Sequence, residues 1–134
     1  MAKIDRVLGL DVGEKRIGVA EGDTGVRIAI PSETILVDGR EVEEITRLVL
    51  MGDISTIVVG YPRNQQGETT KQTEFVETFV DKLRDLDVKI VFQDESLTSV
   101  LAENRLKSLG KPYGKEDIDA LAASIILEDY LEQL

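Results

Sequence analysis

The residues of this 134-residue chain that are best suited to chemistry are four carboxylates, Asp11, Asp94, Glu95 and Asp119. The first three lie near or directly after the ends of apolar runs that are typical of buried strands, and the last lies in the first turn of a helical C-terminal segment. Histidine and cysteine are absent, which excludes an imidazole general base, a histidine triad and zinc bound through imidazole or thiolate. Chemistry must therefore rest on carboxylates, hydroxyls, lysines or a hard metal ion held by oxygen.

Carboxylates that meet in one cleft repel each other unless a cation binds or some of them stay protonated. Oxygen ligands without histidine or cysteine favour Mg²⁺ or Mn²⁺. Two such ions bridged by an aspartate can activate a water molecule and stabilise the leaving oxygen of a phosphodiester. The pattern therefore predicts metal-dependent hydrolysis of phosphodiesters, with Asp11 and Asp119 acting together with Asp94 or Glu95.

Each acid also has an ordinary structural interpretation. Asp11 could accept hydrogen bonds from backbone amides of the turn at Gly13. Asp94 could cap a helix that begins near Ser96, and Ser96 itself competes for that position. Asp119 suits the first turn of a helix whatever its function, because acidic side chains interact favourably with the helix dipole. The metal-site interpretation depends on the convergence of these acids at one place.

The elements that must position the acids follow from the spacing of apolar residues. Apolar runs and alternation predict strands over 3–12, 16–21, 26–30, 55–60 and 88–93, with a hairpin turn over 22–25. Helical spacing predicts helices around 42–52, over 75–86, over 96–109 and from 116 onward. A polar loop is expected over 61–71. The predicted order is therefore βββαβαβαα.

This order predicts an α/β fold with a five-stranded mixed sheet flanked by helices, in which an antiparallel meander precedes two strands reached through helical crossovers. With right-handed crossovers the first, fourth and fifth strands are parallel. Ligands of such sheets bind at the carboxyl ends of the parallel strands, where Asp11, Asp94 and Glu95 lie. Asp119 shares a helical face with Ala122 and Ala123, small residues that would let the helix approach the sheet closely.

Composition sets further limits. The share of charged residues, 31%, and of apolar residues, 42%, is ordinary for a globular protein, and we expect residues 1–134 to form a single domain. No segment approaches the roughly 20 apolar residues of a membrane span, so no membrane partner is expected.

The net charge of −10 argues against a nucleic-acid partner when it is taken globally, yet local basic loops can still bind a phosphate backbone. Such cations are expected around the acidic edge, together with a tyrosine that can stack on an unpaired base. These candidate nucleic-acid-binding residues are Lys15, Arg16, Arg63, Lys71, Arg105, Lys107, Lys111, Tyr113 and Lys115.

Four segments, LGLDVGEKRIGVA, IVVGYPRNQQGE, FQDESLTS and DIDALAASIILEDYL, occur in this order and cover nearly the whole chain. Together they resemble the YqgF family of Holliday-junction-resolvase-like proteins and pre-16S ribosomal RNA nucleases. The resemblance implies a ribonuclease H-like fold, a cytoplasmic bacterial location and an acidic metal site in which Asp11 and Asp119 match the first and last aspartates. The family's strand-five acid aligns with the pair Asp94 and Glu95, which strand alternation turns to opposite faces. We favour Glu95, so the expected ligands of Mg²⁺ or Mn²⁺ are Asp11, Glu95 and Asp119.

The chain departs from the family pattern in two places. Ser96 stands where the family commonly has arginine, which removes a cation beside the acids. The segment Tyr61-Pro62-Arg63 replaces a more frequent Leu-Pro-Leu, in what the sequence predicts to be a loop.

The resemblance implies an endonuclease that processes the 5′ end of precursor 16S ribosomal RNA, with RNA and ribosome precursors as partners. Cleavage of a branched DNA junction is the alternative, and it would favour a homodimer with two sites over a monomer. Two other interpretations stay open. A non-catalytic nucleic-acid-binding module could keep this fold, and the segment DVGEKRIG also resembles the phosphate-binding turn of actin-like ATPases, which need a second lobe.

Overall fold

The structure is a computed structural model that describes residues 3–64, 66–95 and 98–134. Its elements in chain order are β1 (Arg6–Val12), β2 (Arg16–Asp23), β3 (Ile30–Leu36), α1 (Glu41–Gly52), β4 (Ile54–Pro62), α2 (Lys71–Asp81), β5 (Lys89–Glu95), α3 (Thr98–Ser108) and α4 (Lys115–Glu132). The predicted order βββαβαβαα is confirmed. Within these described ranges, no helix is both long enough and apolar enough to cross a bilayer.

The five strands form one mixed sheet in the order β3-β2-β1-β4-β5. β2 pairs antiparallel with β1 and β3, whereas β4 pairs parallel with β1 and β5. β1 and β4 lie at the centre because both of their faces are apolar, and Leu8, Ile57 and Val58 are completely buried. The predicted five-stranded mixed sheet is therefore confirmed.

Helices cover both faces of the sheet. Leu8 and Leu10 of β1 belong to the apolar core under α1 and α2, which also contains Ile45 of α1. Val7 of β1 and Val58 of β4 point the other way, into a second core that α4 covers. The alternation of side chains along each strand therefore decides which functional residues face α4.

The predicted third strand over 26–30 is wrong, because β3 spans Ile30–Leu36. The Asp23 carboxylate accepts hydrogen bonds from the backbone N–H groups of Gly25 and Val26, and Arg27 has a left-handed φ of 62°. This turn carries the chain out of the sheet after β2, and pairing with β2 begins again only at Ile30. The alternation of Val26 with later isoleucines imitates a strand although Val26 itself is exposed.

The two parallel strands β4 and β5 are longer than predicted. They pair up to the register positions Tyr61 with Asp94 and Pro62 with Glu95. Tyr61 and Pro62 therefore belong to a strand, and the expectation that they lie in a loop is wrong. The predicted helix over 96–109 corresponds to α3. Its predicted start at Ser96, the position where the family commonly has arginine by resemblance, lies outside the described residues.

Candidate active site

Asp11 lies near the carboxyl end of β1, on the face that α4 covers. Its neighbours Leu10 and Val12 belong to the opposite core, and its partner across the antiparallel pair is Gly18 of β2. The Gly13 N–H donates to the Arg16 carbonyl. It is therefore not the hydrogen-bond donor to the Asp11 carboxylate that a purely structural role for Asp11 in this turn would need. The half-buried position of Asp11 therefore has to be explained by what surrounds it on the α4 side.

The Asp11 carboxyl resists ionisation. Burial, and after it the negative charges of Glu95 and Asp119, together raise the pKa of Asp11 from 3.8 to about 7. The three carboxylates therefore lie close enough to act on one another electrostatically. Near neutral pH, Asp11 exchanges its proton readily, and a cation placed between the three groups would favour its ionised form.

Glu95, and not Asp94, shares this site with Asp11. A Cβ atom built on Gly60 would lie 2.9 Å from the Glu95 Cδ and 2.7 Å from Ile126 Cδ1 of α4, so the Glu95 carboxyl lies over Gly60 beneath the helix. Asp94 points to the opposite face, where its carboxylate accepts a hydrogen bond of 3.0 Å from Arg63 Nε. A glycine at position 60 leaves the space that the Glu95 carboxyl fills.

Asp119 lies one turn into α4, and not in its first turn as the sequence indicated; it reaches the sheet because this part of the helix packs directly on β2. A Cβ atom at Gly18 would lie 1.9 Å from the Asp119 carbonyl oxygen, so only glycine fits there. The Asp119 carboxylate forms an ion pair with Arg16, with 2.6 Å between Nε and Oδ2. Both side chains are mostly buried, so solvent and salt screen this pair less than an exposed one. Arg16, expected to bind nucleic acid, thus holds the third acid of the site.

The donor set fits a hard divalent cation. At the carboxyl edge of the parallel strands the charges of Glu95 and Asp119 both act on Asp11, and a cation would relieve this repulsion. Among the residues that the structure describes, however, no three carboxylates are gathered at the spacing of a formed metal cluster. The ion pair of Arg16 with Asp119 accounts for part of this difference, since it occupies one of the expected ligands.

The predicted basic residues fall into two groups. Lys15 is exposed in the turn between β1 and β2, and Lys71 is exposed at the first residue of α2. Arg63 is engaged with Asp94 and with the Tyr61 ring. All three lie around the edge where the parallel strands end.

The second group lies on α3, on the loop after it and at the start of α4. Lys107 forms an ion pair with Glu103, and the Tyr113 hydroxyl donates to the same carboxylate at 3.5 Å. The other members, Arg105, Lys111 and Lys115, are exposed. Because Lys115 precedes Asp119 by about one helical turn, this group lies beside the acidic site.

An aromatic cluster lies at the end of β4 and β5, and of its members the sequence identified only Arg63 as a candidate binding residue. The Tyr61 and Phe92 rings form an edge-to-face pair with centroids 4.9 Å apart, and Arg63 Cζ lies 4.7 Å from the centre of the Tyr61 ring. The Tyr61 hydroxyl donates to Glu77 Oε1 at 2.9 Å, and this hydrogen bond raises the pKa of the phenol. The signal in the sequence is the aromatic residue before Pro62, but its pairing with β5 depends on strand register.

A family description matches almost the whole chain: the model described as "RuvX: Holliday junction resolvase" covers residues 5–133. A protein of Sulfurihydrogenibium sp. (strain YO3AOP1), named "Putative pre-16S rRNA nuclease", is 42% identical over 134 residues, which are 98% of this chain and 92% of the relative. A protein of the same name from Chloroflexus aggregans is 47% identical over 131 residues, which are 94% of this chain and 92% of the relative.

Solved structures share the fold at low sequence identity. RuvC of T. thermophilus, in complex with a Holliday junction substrate, has a TM-score of 0.62 at 14% identity and matches 96% of this chain and 94% of its own. The fowlpox virus resolvase in complex with Holliday junction DNA has a TM-score of 0.54 at 11% identity, over 96% of this chain and 97% of its own. These similarities confirm the expected ribonuclease H-like fold.

Proposed function

This chain belongs to the RuvX family of Holliday junction resolvases, which confirms the YqgF resemblance and makes it a nuclease, and from that premise we propose that it processes the 5′ end of precursor 16S ribosomal RNA. The observation that supports a hydrolytic site most strongly is the meeting of Asp11, Glu95 and Asp119 on one face of the sheet. The names of two relatives at 42% and 47% identity favour precursor RNA as the substrate.

Mg²⁺ or Mn²⁺ would be held by Asp11, Glu95 and Asp119. When bound, such an ion supplies Lewis-acid activation of water and stabilises charge on the leaving oxygen. For this, Asp11 would lose its proton, Glu95 would keep its position over Gly60, and the ion pair between Asp119 and Arg16 would break. Arg16, once released, is well placed to contact a phosphate of the substrate.

The two basic groups would bind the nucleic-acid backbone on either side of the acids. Lys15 and Lys71 flank the carboxyl edge of the strands, and Lys115 lies beside Asp119. This distribution supports a local binding surface on a protein whose overall charge is −10. The proposed setting is the bacterial cytoplasm, with ribosome precursors as partners and the 134 residues acting as one nuclease domain, monomeric or homodimeric.

Cleavage of a Holliday junction is the second candidate. The family's description favours it, and so do fold neighbours that were solved with junction DNA. Symmetrical cutting of a junction would require two acidic sites, and therefore a dimer.

The decisive experiment compares cleavage of single-stranded RNA, precursor 16S ends and four-way DNA junctions in Mn²⁺ and in Mg²⁺. The wild-type protein, Asp11→Asn and the matched control Asp87→Asn should be assayed together, since Asp87 is an exposed aspartate just before β5 and far from the acids along that strand. Cutting at precursor ends that is lost in Asp11→Asn and kept in Asp87→Asn would support the proposal. Cutting of junctions alone would support resolvase activity, and binding without cutting would support a non-catalytic module.

A further inference from the structure

We infer that Tyr61, Phe92 and Arg63 form a stacking site for one unpaired nucleobase, next to the acidic site on the opposite face of the strand ends. This inference rests on the proposed nuclease function and adds a preference for substrates with a single-stranded segment at the cleavage point.

The rings offer an accessible flat surface. Phe92 lies on the edge strand β5 and keeps 38% of its surface exposed, so part of its ring is open to a ligand. The edge-to-face contact with Phe92 and the hydroxyl hydrogen bond to Glu77 hold the Tyr61 ring in one orientation. The Arg63 guanidinium lies over the Tyr61 ring, with Cζ 4.7 Å from the ring centre, and unpaired bases stack both on aromatic rings and on guanidinium planes.

The cavity beside these rings suits a base better than a phosphate. Its volume is about 500 Å³, and its walls include Glu77, Gln93, Asp94 and Gln133. The charge of Arg63 is already balanced by Asp94, with 3.0 Å between Nε and Oδ1. The remaining carboxylate of Glu77 would repel a phosphate, but it can accept hydrogen bonds from the N–H groups of a base, and the two glutamines can donate or accept.

The site lies within reach of a strand that is bound at the acids. Tyr61 pairs in register with Asp94, and the next pair along the same strands is Pro62 with Glu95. Neighbouring strands lie about 4.8 Å apart. A polynucleotide that places a phosphate against Glu95 on the α4 face can therefore turn over the sheet edge and place an adjacent base beside Tyr61. A base within a duplex is stacked and paired, so it cannot make this turn.

The test measures how much one base adds to binding. In the Asp11→Asn background without divalent ions, we would compare an otherwise abasic RNA strand carrying a single 2-aminopurine with a fully abasic strand of the same length. Both strands carry the same phosphate charge, so the ratio of their dissociation constants isolates the base. We expect the base to tighten binding about tenfold, which is within the range for stacking on one aromatic residue, and its fluorescence to be quenched on binding.

Two substitutions at Tyr61 make the test specific. Tyr61→Phe keeps the ring and should keep both the tenfold ratio and the quenching. Tyr61→Leu removes the aromatic ring and should reduce the ratio to about one, with little quenching. Circular dichroism would establish that all variants are folded. An equal ratio in Tyr61→Leu and the parent, or no effect of the base in the parent, would overturn the inference.

The result does not depend on cleavage. A wild-type protein that cuts RNA, but whose base-dependent binding is the same in Tyr61→Leu, would refute only the stacking site. A protein that cuts nothing, yet loses base-dependent binding in Tyr61→Leu, would refute the nuclease proposal and retain the stacking site.

Discussion

The free energy of unfolding of the wild-type protein should fall as the pH rises, and replacing Asp11 with asparagine should remove this fall. The pKa of Asp11 is raised from 3.8 to about 7, first by burial and then by the charges of Glu95 and Asp119. In the unfolded chain the same carboxyl has its ordinary pKa, so between these values the folded state holds a proton that the unfolded state has lost. Stability therefore falls as the pH rises through this interval, the reverse of what an aspartate in an ion pair produces.

The size of the effect follows from the difference between the two pKa values. A separation of about three pH units corresponds to roughly 4 kcal/mol of unfolding free energy, at ~1.4 kcal/mol for each unit. Of this, about 2.5 to 3 kcal/mol should be lost between pH 5 and pH 8, because the unfolded carboxyl is already ionised at pH 5. Asparagine has nearly the same shape without the charge, so Asp11→Asn should be the more stable protein at pH 8.

Urea unfolding of both proteins at pH 5, 6, 7 and 8 in EDTA would measure this difference, with Asp87→Asn as the control that keeps the wild-type slope. Adding Mn²⁺ at pH 8 should restore stability to the wild-type protein and have little effect on Asp11→Asn. If the wild-type and Asp11→Asn free energies ran parallel across this pH range, Asp11 would ionise normally and the electrostatic argument for the site would fail.

Three further substitutions test the other parts of the site. Glu95→Gln should slow cleavage by a factor of about 100 or more, as the loss of a group that acts on reacting charge does. Asp94→Asn should slow cleavage clearly less. Equal losses would contradict the placement of Glu95 and Asp94 on opposite faces of the sheet. Gly18→Ala should destabilise the protein by about 1 to 3 kcal/mol in urea unfolding, because its Cβ would meet the Asp119 carbonyl; a neutral result would show that α4 packs less closely. The third change replaces three lysines by glutamine: Lys107, Lys111 and Lys115. It should weaken single-stranded RNA binding and reduce the slope of log affinity against log salt concentration by about 2. An unchanged slope would show that these lysines do not contact the RNA.

The architecture could be predicted because its signals are local and strong. Continuous apolar runs around Leu8 and Ile57 indicate strands covered on both faces, and these are the central strand β1 and its parallel neighbour β4. Since the carboxyl ends of parallel strands share an edge, Asp11 and Glu95 were expected to lie together, as the structure places them. The alanines that follow Asp119 correctly indicated close packing of the last helix on the sheet.

What could not be predicted depends on contacts between distant residues or on a single turn. The hydrogen bonds of Asp23 and the left-handed φ of Arg27 move the third strand along the chain, although the apolar alternation indicates otherwise. Pairing of Tyr61 with Asp94 extends two strands beyond their apolar runs. The ion pair between Arg16 and Asp119 joins residues 103 positions apart, and no local pattern predicts it.

The seating of α4 against Gly18 has a consequence for when the protein becomes able to act. α4 is synthesised after every strand of the sheet, and its N-terminal half supplies Asp119 to a site whose other acids lie on β1 and β5. Contacts between such distant parts of a chain form late in folding, because a long loop must first be closed. A nascent chain that lacks α4 therefore holds an incomplete set of acids, and a nuclease directed at ribosomal RNA would acquire its activity only after its last helix has docked.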